Sequence, residues 1–218
     1  MAAKGSEVKN FEIGDRVYYA GTTKRSGSNQ AFQLVDERIA AKVLIHLSDE
    51  ACAALPLTAL TTYELLFEKC QFIPNELGNI KKILVINGAC TPSSILIHLV
   101  KWSGLEVVST ASPRNFDWLK QNGVDYPIDH HQKLKPQLEK AGIEIVNTVA
   151  VLHDIRPYLT QLIEIIQSLG ENGMIIEGEE PINISKFKNL SAVIKLLEEN
   201  KLHNILGKVY KEGITVET

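Results

Sequence analysis

The chain has 218 residues, 44% hydrophobic and 22% charged, which is the balance of a folded globular protein and not of a disordered segment. Its 23 basic and 26 acidic residues leave a net charge of −3, which excludes the broad basic surface that nucleic-acid binding requires. No apolar run nears the roughly 20 residues of a membrane span and Met1 to Asn10 lacks a signal-peptide core, so a cytoplasmic location without membrane contact is expected.

The first part of the chain reads as β-rich. Gly14-Asp15 opens a strand over Arg16 to Ala20, a loop covers Gly21 to Asn29, and two more strands are expected over Ala31 to Asp36 and Ala41 to Leu47. These are too few to close a barrel. Ser48 suits a helix N-cap, with Asp49 and Glu50 in the first turn; Pro56 is expected to end that helix, and a second helical stretch follows from about Leu57 to Cys70.

From Lys81 onward strands and helices alternate, the pattern of a parallel sheet with crossover helices. Ile83 to Ile86 is a short apolar run of the kind buried on both faces. A turn over Asn87 to Ser94 leads to a helix from Ile95 to Trp102. Val107-Val108 forms the next strand, Ser109 to Arg114 a polar turn, and Asn115 to Asn122 a helix stopped by Gly123. Then come a strand at Tyr126 to Ile128, a helix at Lys133 to Ala141, a strand at Ile143 to Leu152, a helix at Tyr158 to Ser168 and a strand at Met174 to Ile176. About a hundred residues of this repetition predict an α/β fold with a doubly wound parallel sheet. Beyond Pro181 a helix over Leu190 to Asn200 and a strand over Lys208 to Tyr210 are expected.

Three separated cysteines, Cys52, Cys70 and Cys90, support neither a disulfide framework nor a four-cysteine zinc site. The six histidines include one adjacent pair, His130 and His131, but no ligand spacing such as HExxH, so a structural or solvent-facing role is expected for each. The turn after the first strand of the alternating region has the place of a dinucleotide-binding GxGxxG, with Gly88, Cys90 and Ser93 at the three glycine positions. Gly88 serves the tight turn. Cys90 stands where a glycine would let the backbone approach a pyrophosphate, and its side chain is expected to obstruct that approach. Ser93 needs only close packing, and Pro92 suits the first helical turn while removing one N–H.

The runs Gly14-Asp15-Arg16-Val17-Tyr18-Tyr19-Ala20-Gly21, Gln33-Leu34-Val35-Asp36-Glu37-Arg38 and Ala53-Ala54-Leu55-Pro56-Leu57-Thr58-Ala59-Leu60-Thr61 resemble the medium-chain dehydrogenase/reductase superfamily. Within it the likeness is to the zinc-type alcohol dehydrogenase-like branch, close to the quinone oxidoreductases, and Ser109-Thr110-Ala111-Ser112 and Val124 to His130 extend it. The resemblance implies a Rossmann domain over 78–187 and a small β-rich remnant of a GroES-like catalytic domain from 1–77 and 188–218. Relative to the family the chain looks truncated at its start and shortened near Pro181 to Asn189, where relatives commonly carry a dimer contact, so the usual family dimer is not expected. The family's zinc ligands fall in the missing portion, and no zinc is expected.

By the same resemblance, Ser112 and Arg114 follow the second Rossmann strand, where an acid would hold the ribose diol of NAD and a basic residue the 2′-phosphate of NADP; the lack of an acid favours NADP. Thr58 and Thr62 match positions near the nicotinamide. The altered turn points to weak NADPH binding and to a degenerate reductase homologue with little activity, whose Rossmann scaffold serves a ligand or a partner protein. Its alternative is an active NADPH-dependent reductase of quinones, enones or aldehydes, and a third reading makes Cys90 redox-responsive.

Overall fold

The computed structural model describes residues 1–22, 25–73, 81–152, 156–169 and 174–177. Two sheets organise them. Strands β1 (Val17–Tyr19) and β2 (Ala40–Lys42) pair antiparallel, with Tyr18 opposite Ala41. The larger sheet is wholly parallel and contains β3 (Lys82–Ile86), β4 (Glu106–Ala111), β5 (Tyr126–Asp129), β6 (Thr148–Val151) and β7 (Met174–Glu177), in the order β5-β4-β3-β6-β7. The chain winds outward from β3 to β5 and then returns to the other side of β3. This is the doubly wound arrangement anticipated from the strand and helix alternation, and its direction reverses between β3 and β6.

The helices α1 (Asp49–Tyr63), α2 (Thr91–Trp102), α3 (Phe116–Gln121), α4 (Leu134–Lys140) and α5 (Leu159–Leu169) cover both faces. Alternation along the strands explains how. Ile83 and Val85 of β3 share one core with Leu60, Ile95, Leu99, Val107, Leu119 and Ala150, whereas Leu84 and Ile86 join Val108, Leu134, Leu138, Val149 and Leu162 in a second core. A strand buried on both faces cannot show a polar side, which is why β3 reads as an unbroken apolar run. Gly123, at φ +95°, occupies the left-handed position just beyond α3 that a helix stop favours.

Four local expectations are corrected. The helix opened by Ser48, whose hydroxyl accepts from Ala51 N–H at 3.3 Å, runs through Pro56 to Tyr63 and continues as a π-helical stretch over Glu64–Lys69. Pro56 costs one backbone hydrogen bond, but Cys52, Leu55, Ala59 and Leu60 on this helix are buried in the first core, and that burial outweighs the loss. Ala31 to Asp36 is not a strand: Phe32 and Leu34 are 77% and 82% exposed, and apolar alternation makes no strand without a partner ladder. The strand expected over Ala41 to Leu47 is confined to Ala40–Lys42, the residues that β1 pairs with. The strand expected over Ile143 to Leu152 is confined to Thr148–Val151. Its ladder starts where Asn147 receives Lys82 N–H on its side chain at 2.8 Å and donates its own N–H to the Lys82 carbonyl at 3.0 Å. The helix and strand expected after Pro181 lie outside the described residues, as do the residues on which the dimer expectation rests.

No described helix is long and apolar enough to cross a membrane.

Candidate functional site

In doubly wound sheets ligands bind outside the carboxyl ends of the strands, at the point where the winding reverses. There the turn Asn87 to Cys90 joins β3 to α2. Asn87 sits in the left-handed region, φ +57°, which asparagine tolerates. Two bonds hold the turn against β4: Asn87 N–H donates to Thr110 Oγ1 at 2.9 Å, and Gly88 N–H donates to the Thr110 carbonyl at 2.9 Å. A Cβ on Gly88 would stand 1.9 Å from Ser109 Oγ and 3.0 Å from Ser109 Cβ. The glycine is therefore demanded by the close approach of the turn to β4.

Ser109 and Thr110 were expected in a polar turn but lie fully buried within β4. The pattern reads as polar because these are hydroxyl residues, yet each hydroxyl is satisfied inside the sheet. Ser109 Oγ donates to the Val85 carbonyl at 3.1 Å, and Thr110 Oγ1 accepts from Asn87.

Cys90 is the N-cap of α2, with ordinary extended dihedrals (φ −96°), so its backbone does not need glycine. Its Sγ lies 3.1 Å from Ser93 Oγ, and Ser93 is fully buried where α2 packs on the sheet. Pro92 occupies the first turn of α2 as anticipated.

Ser112 follows β4 and precedes a short 3-10 turn over Pro113–Asn115, but its hydroxyl does not cap that turn. It turns instead toward β5, 3.0 Å from His130 Nε2 and 3.2 Å from His131 Nε2. The imidazoles meet edge to face, with centroids 4.3 Å apart. His130 Nδ1 lies 3.3 Å from Asn87 Oδ1, which also accepts the Tyr158 hydroxyl proton at 3.2 Å. Three strand ends and the start of α5 thus converge on one polar chain, Tyr158–Asn87–His130–Ser112–His131. Asp129, buried at the end of β5, braces it by accepting His131 N–H at 2.9 Å and Gln132 Nε2–H at 3.0 Å. Burial, and next the neighbouring His131, hold His130 below the usual imidazole range, while Asp129 pulls the other way.

Arg114 is exposed and has no ion-pair partner among the described residues. Thr58 and Thr62 lie on α1, which packs against α2, and their hydroxyls bond back to their own helix: Thr58 Oγ1 to the Ala54 carbonyl at 3.4 Å, Thr62 Oγ1 to the Thr58 carbonyl at 2.9 Å. No described contact joins them to the Gly88 turn. Asn87, Thr110, His130, His131 and Tyr158 are members of the site that reading the sequence missed. The adjacent histidines were the available signal, but their spacing matches no metal motif, and only the sheet brings them to Ser112. Elsewhere His98 fills the structural role expected of it, buried with its Nε2 3.2 Å from Asn122 Oδ1.

Among the described residues no group of three or more His, Cys, Asp or Glu side chains is placed to hold a metal ion. A separate cleft of about 650 Å³ lies between β1 and the start of α1, lined by Tyr18, Tyr19, Gln33, Cys52 and Pro56 among others, and it includes none of the residues of the polar chain.

No protein-family model matches the chain. A zinc-type alcohol dehydrogenase-like protein of Staphylococcus aureus is 32% identical over 223 residues, an alignment that takes in 99% of this chain and 67% of that relative. A 2-methylene-furan-3-one reductase of Solanum lycopersicum is 35% identical over 134 residues, 58% of this chain and 33% of its own length. Among solved structures, the Escherichia coli quinone oxidoreductase complexed with NADPH shares the fold at a TM-score of 0.71 and 17% identity, covering 92% of this chain and 68% of that one. With its doubly wound sheet, its small antiparallel sheet and these relatives, the chain belongs to the medium-chain dehydrogenase/reductase superfamily, in the zinc-type alcohol dehydrogenase-like branch related to quinone oxidoreductases.

Proposed function

We propose that the chain acts as an NADPH-dependent reductase of quinones, enones or aldehydes. The observation that carries this reading is the end of β4, which offers the Ser112 hydroxyl and the exposed Arg114 where an NAD-selective site would place a carboxylate. A monoester phosphate fits a hydroxyl and a guanidinium, whereas an acid would repel it. The turn fits a nucleotide as well. Gly88 keeps it pressed on β4, and the Cys90 thiol is drawn toward Ser93.

When bound, NADPH would supply the hydride. In this reading the backbone of Gly88 to Cys90, at the N-terminus of α2, holds the pyrophosphate. Ser112 and Arg114 hold the 2′-phosphate, and Thr58 and Thr62 stand on the nicotinamide side. Kinship with a methylene-furanone reductase and a quinone oxidoreductase supports conjugated carbonyl substrates, and supports a working reductase over the scaffold reading.

The test is titration of the purified chain with NADPH and NADH, followed by nicotinamide absorbance in the presence of a quinone or an enone. Tighter binding of NADPH and substrate-dependent loss of absorbance, diminished in Arg114→Ala, are expected. Absence of NADPH binding would overturn the reading.

A further inference from the structure

We propose that His130, Ser112 and His131 form a proton-coupled latch for the phosphate that distinguishes NADPH from NADH, so that NADPH binds with uptake of a proton at His130. This rests on the assignment of the 2′-phosphate to Ser112 in the preceding section.

The donors and acceptors of the chain determine its state. Asn87 Oδ1 can only accept, and it receives the Tyr158 hydroxyl proton. His130 Nδ1, 3.3 Å away, must then carry a proton to bond it, which in a neutral ring leaves a lone pair on Nε2. At 3.0 Å that lone pair takes the Ser112 hydroxyl proton, while His131 Nε2–H, at 3.2 Å, donates to Ser112 Oγ. In this state Ser112 has no proton to offer an incoming anion. Protonation of His130 Nε2 reverses one bond: both rings then donate to Ser112 Oγ, both oxygen lone pairs are used, and the hydroxyl proton turns outward. The same proton places a cation beside the phosphate.

The surroundings permit this change. Facing His130 are Ser112 from β4, Asn87 from the β3 turn and Tyr158 from the start of α5, with Asp129 and His131 beside it on its own segment. Arg114 lies two residues beyond Ser112. Burial and His131 keep the free ring neutral near pH 7.5, whereas a bound dianion favours the cationic ring. A phosphate monoester loses its second proton near pH 6, so at pH 7.5 the ligand is already dianionic and a proton taken up belongs to the protein.

The experiment is calorimetry of the full chain at pH 7.5 in two buffers of different ionisation enthalpy, with four probes: NADPH, adenosine 2′,5′-bisphosphate, NADH and 5′-AMP. NADPH and the bisphosphate should each take up about half to one proton, and NADH and 5′-AMP none. The dissociation constant for NADPH should rise about tenfold from pH 6.5 to 8.5, with that for NADH unchanged. Uptake should vanish in His130→Gln and persist in His131→Gln. Should His130→Gln fail to fold, the His130 imidazole titration followed by NMR should move to higher pH when the bisphosphate binds. Binding of NADPH without proton uptake, or uptake unchanged in His130→Gln, overturns the latch and leaves the reductase reading standing; failure of NADPH and the bisphosphate to bind overturns both.

Discussion

Replacing Gly88 by alanine tests how closely the turn after β3 is pressed against β4. The new Cβ would lie 1.9 Å from Ser109 Oγ, 3.0 Å from Ser109 Cβ and 3.2 Å from Leu119 Cδ2. Ser109 Oγ could rotate away, but it would then give up its 3.1 Å bond to the Val85 carbonyl inside a fully buried strand. Overpacking of this kind costs about 1–3 kcal/mol. The broken hydrogen bond adds about 1 kcal/mol, so a loss of about 2–4 kcal/mol is expected in urea unfolding followed by circular dichroism. A double-mutant cycle isolates the contact. Ser109→Ala alone should cost about 1 kcal/mol, while the pair Gly88→Ala with Ser109→Ala should be less destabilised than the sum by about 1 kcal/mol or more. Gly88→Ala with stability within about 0.5 kcal/mol of the parent, or strict additivity with Ser109→Ala, would refute the packing argument.

Three further outcomes are expected. Cys90→Gly should leave NADPH affinity within about twofold in a fluorescence titration, because the thiol is already drawn to Ser93; a several-fold tightening would mean that the side chain still obstructs the approach of the backbone to the pyrophosphate. Arg114→Ala should weaken NADPH by about tenfold or more, the worth of a charge-assisted hydrogen bond, with NADH affinity unaltered. Burial pushes the Cys70 thiol up to about 12, with Lys69 opposing. The folded state therefore favours the neutral thiol. Its contribution to stability is full below the ordinary thiol range near 8.5 and is lost as pH rises toward the folded value. Denaturation midpoints should fall between pH 8.5 and 10.5, and fall less in Cys70→Ala; parallel profiles for the two proteins would contradict this.

Burial and chain connectivity decided what could be read without coordinates. The βα rhythm from Lys81 is carried by β3 and β6, whose residues are apolar on both faces, and by helices with definite ends such as Gly123. Period and caps are local properties, so the doubly wound fold followed directly from them, whereas the family was legible only in the likeness of runs such as Gly14 to Gly21 and Ala53 to Thr61. Position in the chain drew attention to Gly88 and Cys90, and the resemblance to Ser112 and Arg114. Tertiary structure alone decided the rest. Whether Pro56 stops a helix depends on the burial of Cys52, Leu55 and Ala59 on that helix, and whether Phe32 and Leu34 make a strand depends on a partner that none of the described residues supplies. Gly88 proved necessary because of Ser109, a residue on the next strand. The polar chain from Tyr158 to His131 joins residues 71 positions apart at Asn87 and Tyr158, and 18 apart at Ser112 and His130. Hydrogen bonds reach about 3 Å whatever the separation in sequence, so periodicity within one element carries no trace of them; the parallel sheet makes them by bringing three strand ends to the same edge.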